Sequence, residues 1–580
     1  MSFFEAMFGD DFPDAFAYDG RSCKSNKTLL DLPAEILEII CRYLSGLDVK
    51  RLRLTSRELA EKADLRIDRV YVSPNRANLD CLNNILNHPQ YRLQVRELVW
   101  DDGQLEQLPT FELFQDRIES DEKQARIALE DHLSTLFESN TENEADYESI
   151  GVQDCLLDDG ELTDIGKAIL LNANDERSKN IIVSRAASMG VEDSYDLYQK
   201  LYQDEREIIK RGWDENALLR ALEQLPNLRR ITITTEVWRP WNLTPLYDTP
   251  FRRALPAGFR KPSVGPWTDW GLSELLRAGL ARDGFVQDLS TEARGFSILM
   301  SSLASKPVFG LQEIIIDTGC DNCGLPLEIF SFPKLDYTNS VQVFSIAPLK
   351  RLQLSVVEHG AHIHDQRTDL LSGVLGVTPS LEDLDLKYSI PNPSGAPGEL
   401  FNDDFLRMHC PRLKRFALHL ATTTNSWLFN VIKSLENLEY VVLDRIQLDD
   451  SATNNDIVFH RLQQHYAGRC SRGPRFSWVD ALCDQFRVHG SKFRMSRWLA
   501  IVEEELDAFL YDGGEFPLAW LELEPPYYFE RRAVVKPNVG WILDARDPTV
   551  RIRNTEASAA NAMAMRSWPV YQPTALLRGR

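Results

Sequence analysis

Apolar positions along this chain follow two different periods. From Leu29 to Ala63 they recur every three or four residues: Ile36, Leu37, Ile40 and Leu44, then Val49, Leu52 and Leu54, then Leu59. That spacing predicts three short amphipathic helices. Pro33 suits the first turn of the first helix, where its missing N–H is not needed, and Ser45-Gly46 ends it. Asp48 is placed to cap the second helix and Ser56 the third, Ser56–Ala63. Helices this short cannot hide so many leucines by themselves. Part of that surface is expected to face a partner.

Downstream the pattern becomes apolar-x-x-apolar-x-apolar. It occurs at Ile67–Val72, Val95–Trp100, Leu228–Ile233, Leu311–Ile316, Leu349–Leu354, Leu381–Leu386, Leu413–Leu418 and Leu438–Leu443. The last five starts lie 38, 32, 32 and 25 residues apart. Those intervals bracket and exceed the ~20–29 residues of a leucine-rich repeat. Helical patterns such as ENALLRALEQLPNL and NSWLFNVIKSLENL precede several of these runs. Pro226, Pro379 and Pro411 each stand two residues before the first repeat leucine, where a proline stops the helix and favours an extended strand start. Helix, turn and strand in repetition imply parallel strands joined by crossover helices. The fold class expected is therefore α/β: a short three-helix N-terminal module, then an irregular leucine-rich-repeat-like solenoid with outer helices.

The organisation expected is a disordered acidic and aromatic segment over 1–26, the helical module over 27–66, the repeat domain over 67–525 and an extension over 526–580. Two insertions interrupt the repeats. Residues 101–215 hold an acidic block and then a helical stretch around Ala186–Ile209, and residues 237–271 hold six prolines and four tryptophans. Phe476–Leu510 reads as mixed helix, and Phe516–Pro525 as one further strand.

Composition narrows the class. At 580 residues the chain exceeds a single core. Its 43% hydrophobic and 26% charged residues suit a soluble globular protein, and no apolar run is long enough for a membrane span. Without a secretory signal pattern, a cytoplasmic or nuclear location is expected. The net charge of −22 is concentrated: Asp101–Asp164 holds 20 acidic and three basic residues, leaving about −5 for the remainder. A general nucleic-acid binder would show a basic footprint instead.

The stretch LLDLPAEILEIICRYLSGLDVKRLRLTSRELAEKA resembles the F-box. Leu32, Pro33, Glu35, Ile36, Leu37, Ile40, Leu44, Ser45, Leu52, Leu54, Ser56 and Arg57 meet the family pattern. With the repeats behind it, the layout is similar to fungal-type F-box proteins with leucine-rich repeats. The resemblance implies a non-catalytic adaptor of an SCF (cullin-RING) ubiquitin ligase. In that role the F-box binds a Skp-family linker and the repeats hold a protein substrate. It implies linker contacts at Leu32, Pro33, Ile36, Leu37, Ile40, Leu44, Leu47, Val49, Leu52 and Leu54, and it implies no cofactor.

Other residues offer weaker chemistry. Trp238, Trp241, Trp267 and Trp270, in a proline-stiffened insertion, are candidate substrate contacts, since tryptophan is a favoured interface anchor. Cys320 and Cys323 have the spacing of half a zinc site or a redox pair, yet no second such pair exists, and only Cys410 with His409 could add ligands. His359, His362 and His364 cluster in a segment whose pattern predicts an exposed repeat loop. No serine-elbow, P-loop or dinucleotide-binding signature is present. Two alternatives to the adaptor stay open: a non-ligase F-box scaffold, and a thiol- or zinc-dependent enzyme using Cys320 and Cys323.

Overall fold

The computed structural model describes residues 29–119 apart from 45 and 64–66; 129, 130, 133, 154–157, 162–173, 178 and 182; 189–234; 247–262 apart from 248 and 257; 293–317; 324–357; 367–389; 400–448; 455–467; 473–488; 491–517; and 534–537. The chain divides into two compact units, Met1–Ile67 and Asp68–Arg580.

In the first unit a 3-10 turn, Leu29–Asp31, leads into α1 (Ala34–Tyr43), α2 (Gly46–Thr55) and α3 (Arg57–Lys62). Pro33 stands just before α1 as its N-cap, with Glu35 in the first turn near the positive helix end. Ser56 caps α3 as expected, its Oγ accepting from the Leu59 N–H at 3.1 Å. Asp48 is not a cap. Helix α2 begins two residues earlier, and Asp48 lies inside its first turn, accepting from Arg51 at 3.3 Å. Leu37, Cys41, Val49, Leu59 and Ala63 form the core of this unit, with Leu30, Leu44 and Leu52 packed against it. Lys62 closes the unit by donating to the Leu30 carbonyl at 2.6 Å.

The second unit is organised by one sheet. Its strands are β1 (Arg69–Val72), β2 (Glu97–Asp101), β3 (Arg230–Thr234), β4 (Glu313–Asp317), β5 (Arg351–Val357), β6 (Asp383–Ser389), β7 (Arg415–His419) and β8 (Tyr440–Asp444). These eight strands pair side by side in chain order, and every pairing is parallel. Each overlaps one of the eight apolar-x-x-apolar-x-apolar runs. Helices α4 (Arg76–Asn87), α5 (Val191–Arg211), α6 (Trp213–Gln224), α7 (Arg294–Ser305), α8 (Leu335–Ile346), α9 (Arg367–Leu375), α10 (Asn425–Ser434) and α11 (Asn455–Tyr466) occupy the connections. The unit is a solenoid-like α/β array, as the periodicity predicts.

Strand residues alternate between the two faces of the sheet. The register aligns Val70, Leu98, Ile231, Ile314, Leu352, Leu384, Phe416 and Val441 in one row, and Val72, Trp100 and Ile233 begin another. All of these are buried. On the opposite face the first and last rows are largely polar, and the row between them mixes Val99, Ile315 and Val442 with Thr232, Gln353 and Asp385.

Five helix-to-strand junctions repeat one tight turn, whereas the Leu349 N–H before β5 donates only two residues back, to the Ala347 carbonyl. The N–H groups of Leu228, Leu381 and Leu413 donate to the carbonyls of Leu225, Thr378 and Cys410, three residues back, at 3.1–3.3 Å. Pro226, Pro379 and Pro411 therefore sit at the second turn position, where their fixed φ is already correct. Leu311 and Leu438 close the same turn without proline. The Asn227 and Asn437 side chains each donate to a carbonyl of the preceding turn, Leu93 and Pro411.

One expectation fails. Phe476–Leu510 does not form mixed helix: β9 (Arg475–Val488) and β10 (Ser491–Val502) make a long antiparallel ribbon, followed only then by a helical turn, Glu504–Asp507. β9 first adds to β8 in parallel through Arg475–Val479, and β11 (Val534–Pro537) pairs with Trp498–Ile501 of β10. Alternation of Phe476 and Trp478, both buried, is the strand signal that the helical spacing of Val479, Leu482 and Phe486 obscured. The open edge of β8 decides between the two periods. The further strand expected at Phe516–Pro525 falls almost entirely outside the described residues.

Candidate functional site

Two surfaces follow from this architecture. The first lies on the helices of Met1–Ile67. Leu37 and Val49 are wholly enclosed, so their apolar surface is used up inside the unit. Leu32, Ile40, Leu44 and Leu52 are half-buried, and Pro33 is exposed. The Leu47 side chain lies outside the described residues. Ile36 is 43% and Leu54 86% exposed, and two residues that the family pattern did not single out join them: Ile39 at 48% and Tyr43 at 88%. Ile36, Ile39 and Tyr43 are three and four residues apart and share one stripe of α1. The signal for Ile39 and Tyr43 was present in the helical period. It went unread because pattern positions, rather than faces, selected the candidates.

Burying a large apolar side chain stabilises by about 1.5–3 kcal/mol. Four of them held in water by a unit with its own small core form a surface suited to a partner.

The second surface is the polar face of the sheet. Its first row runs Arg69, Glu97, Arg230, Glu313, Arg351, Asp383, Arg415 and Tyr440 across β1 to β8. Parallel in-register stacking sets like positions of successive repeats side by side, so uniform charge here would repel. The charges alternate instead. Arg69 meets Glu97 at 2.7 Å, Arg230 meets Glu313 at 2.9 Å, Arg351 reaches both Glu313 (3.5 Å) and Asp383 (3.6 Å), and Arg415 meets Asp383 at 3.0 Å. The Arg415 guanidinium then lies 5.8 Å from the centre of the Tyr440 ring.

Nearer the strand ends, His419 is held between two carboxylates. Its Nδ1 lies 3.0 Å from Asp444 and its Nε2 3.3 Å from Asp385. Arg445 clasps Asp444 through Nε at 2.8 Å and a terminal nitrogen at 3.1 Å. Burial works against the Asp444 charge, but the hydrogen bonds from His419 and Arg445 outweigh it and hold the carboxyl well below its ordinary range. Arg445 and Leu420 occupy equivalent places after β8 and β7, and both have left-handed backbones (φ 51° and 59°). Short strands Thr422–Thr423 and Gln447–Leu448 then pair in parallel, so these two repeats match residue by residue.

At the other end of the face, Asp101 closes β2 and Glu205 reaches in from α5. Asp101 accepts from the Gly103 N–H at 3.0 Å, and Glu205 from the Leu105 N–H at 3.0 Å. Burial pushes each carboxyl up to about 8; Asp102 beside Asp101 adds to the shift there, and Arg206 opposes it at Glu205. The peptide between them is strapped to α5 by side chains: Tyr198 donates to Glu106 O (2.8 Å), Gln199 to Leu108 O (2.7 Å) and Tyr195 to Pro109 O (2.9 Å). Leu105 and Leu108 insert beside Phe114, Ile118 and Tyr198, giving this insertion a core of its own.

Trp238, Trp241, Trp267 and Trp270 lie outside the described residues, as do Cys320, Cys323 and the cluster of His359, His362 and His364. Part of the Trp/Pro-rich insertion is described: Tyr247 packs on Val99, and the Phe251 N–H donates to Asn78 at 2.9 Å. Cys410 is buried 3.6 Å from the Thr378 hydroxyl, and burial pushes its thiol up to about 11. The His409 ring nitrogen lies 3.1 Å from the Gly376 carbonyl, next to the Leu375 carbonyl that the Cys410 sulfur faces at 4.0 Å. Among the described residues no group of three or more His, Cys, Asp or Glu could hold a metal ion, and no helix is long and apolar enough to cross a membrane.

Comparison with known families bears on the first unit. Residues 29–67 match the family model of the F-box domain, spanning the three helices and the residues that follow them. F-box domains bind Skp-like linkers in SCF complexes. No curated protein matches the chain.

Proposed function

We propose that this protein is a substrate-recruiting adaptor of an SCF-type cullin-RING ubiquitin ligase, with a leucine-rich-repeat-like domain of the fungal F-box layout. The observation that carries the reading is the exposed stripe of Ile36, Ile39 and Tyr43, with Leu54, on helices that match the F-box. A Skp-family linker would cover that stripe, while Leu37 and Val49 keep the helices in shape beneath it. The repeat domain, with its polar sheet face and inserted loops, would hold a protein substrate. Such an adaptor breaks no bonds. It raises the local concentration of its cargo near a ligase-bound ubiquitin carrier, and the gain comes from effective molarity. Cytoplasm or nucleus is the setting that fits.

Substitution of exposed and enclosed positions separates docking from folding. Ile39→Glu with Tyr43→Ala is expected to lose co-purification with the linker while thermal unfolding stays unchanged, because both sites are in water. Leu37→Ala is expected to cost about 2–5 kcal/mol of unit stability. Undiminished linker capture by the double variant would refute the assignment of this face. A reconstituted complex that binds the linker but transfers ubiquitin to nothing would favour the scaffold reading instead.

A further inference from the structure

Backbone bonds set the residue before each strand in one row along the sheet. The Arg229 N–H donates to Arg96 O (2.9 Å), Gln312 to Arg229 O (2.8 Å) and Lys350 to Gln312 O (2.8 Å). The turns stand immediately before that row. In the turn before β4, Phe309 takes the place that Pro226 holds before β3, and Leu93 stands at the matching position before β2. Asn227 donates to the Leu93 carbonyl at 2.7 Å, and a side chain at Gly310 would come within 3.4 Å of the Leu228 carbonyl oxygen, so neighbouring turns lie against one another. Adjacent strands are about 4.8 Å apart, which places Leu93 and Phe309 about 10 Å apart with Pro226 between them.

This stretch of rim carries two kinds of uncovered group. Leu93 is 52% and Phe309 76% exposed, and Pro226 between them is exposed as well. Beside them Arg96 and Arg229 are exposed and Arg92 is half-buried. Among the described residues none of these three guanidiniums has an ion-pair, hydrogen-bond or ring partner. Nearby carboxylates are engaged: Glu97 with Arg69, Glu313 with Arg230, and Glu223 with Lys306. Asp68 and Glu382, the row members on either side, bound the cationic stretch. In a chain whose net charge is −22, unpaired arginines beside an apolar row are a local device, contrary to the balance of the whole molecule.

We infer that the rim formed by the turns before β2, β3 and β4 docks an acidic segment of a partner protein that carries apolar side chains between its carboxylates. The carboxylates pair with Arg92, Arg96 and Arg229, whose forked guanidiniums suit that geometry. The apolar side chains cover Leu93, Pro226 and Phe309, and about three extended residues span that distance. A purely acidic run would use the arginines and leave Leu93 and Phe309 in water. A nucleic acid would do the same: three cations are few for a phosphate backbone, and Leu93 and Pro226 offer no aromatic face to a base. The inference goes beyond the adaptor role and is tested without the linker, so either can fail alone.

The measurement is fluorescence anisotropy on the full chain with three labelled probes: a peptide alternating Asp with Leu, a polyglutamate of the same charge, and single-stranded DNA. The Asp–Leu peptide is expected to bind best, and added salt to weaken it. Arg96→Glu with Arg229→Glu is expected to lower that affinity about tenfold, as loss and reversal of two ion pairs implies. Phe309→Ser is expected to lower it about threefold through lost apolar cover alone. Should the charge reversal fail to fold by circular dichroism, Arg96→Gln with Arg229→Gln carries the test with a smaller loss. No binding of the Asp–Leu peptide by wild type would overturn the proposal, as would equal affinity of wild type and either folded variant. So would polyglutamate or DNA binding as tightly as the Asp–Leu peptide.

Discussion

At the residue scale the buried carboxylates behave oppositely. Asp444 is held charged by His419 and Arg445, whereas burial drives Asp101 and Glu205 toward their neutral forms against the Gly103 N–H and Lys261 at the first and Arg206, the Leu105 N–H and Arg294 at the second. A carboxyl whose folded pKa is raised binds more protons in the folded state, so stability falls as pH rises from about 4 through about 8. Asp101→Asn and Glu205→Gln preserve the oxygen that accepts from Gly103 or Leu105 and remove the charge. Each variant is expected to unfold at a higher temperature than wild type at pH 8 and to show a flatter profile between pH 5 and 8. Asp444 has the reverse sign: its contribution is present above the ordinary carboxylate range and fades as pH drops through its depressed value. A wild-type melting temperature independent of pH over 5–8 would contradict the buried Asp101–Glu205 arrangement. None of these roles was legible in the sequence. Asp101 and Glu205 are 104 positions apart, and nothing local in either neighbourhood marks them as buried.

At the element scale, eight strands were legible because each repeats the same apolar spacing, and the prolines marked where three of them begin. The ribbon was missed because its residues satisfy both the helical and the strand period, and only the unpaired edge of β8 resolves them. The charge ladder was visible in principle: the pairs Arg229-Arg230, Gln312-Glu313, Lys350-Arg351, Glu382-Asp383 and Lys414-Arg415 alternate from repeat to repeat. It has meaning only once strands are known to stack in register. Asp383→Lys would set three cations side by side across β5, β6 and β7. These side chains are about one-fifth exposed or less, so solvent screens only part of the repulsion. The expected cost is about 2 kcal/mol by denaturant unfolding. Adding Arg415→Glu should restore about half of it, and strict additivity of the two substitutions would show that the ladder carries no coupling.

At the scale of the whole molecule, the two units were foreseen from their different periods, and the exposed apolar stripe on α1 explains why the first cannot be judged by its own core. The long solenoid-like unit has no closed boundary: β8 is covered by β9 and the ribbon behind it. Ending the chain after Leu448 would strip that cover and leave Tyr440–Asp444 as a bare parallel edge. Such a truncation is expected to aggregate during purification, read as high-mass species by light scattering, while the helices of Met1–Ile67 remain intact. A monodisperse product would show that the strands past β8 are dispensable.

The tight turns all stand on one rim of the sheet, where helix passes to strand in a four-residue turn of fixed geometry. The long excursions after β2 and β3 leave from the opposite rim, where strand passes to helix. One rim is thus a ruler and the other a rack. Segments on the rack can be lengthened or shortened without altering the spacing set by the ruler. The frame can therefore keep its spacing while the segments it carries differ in length.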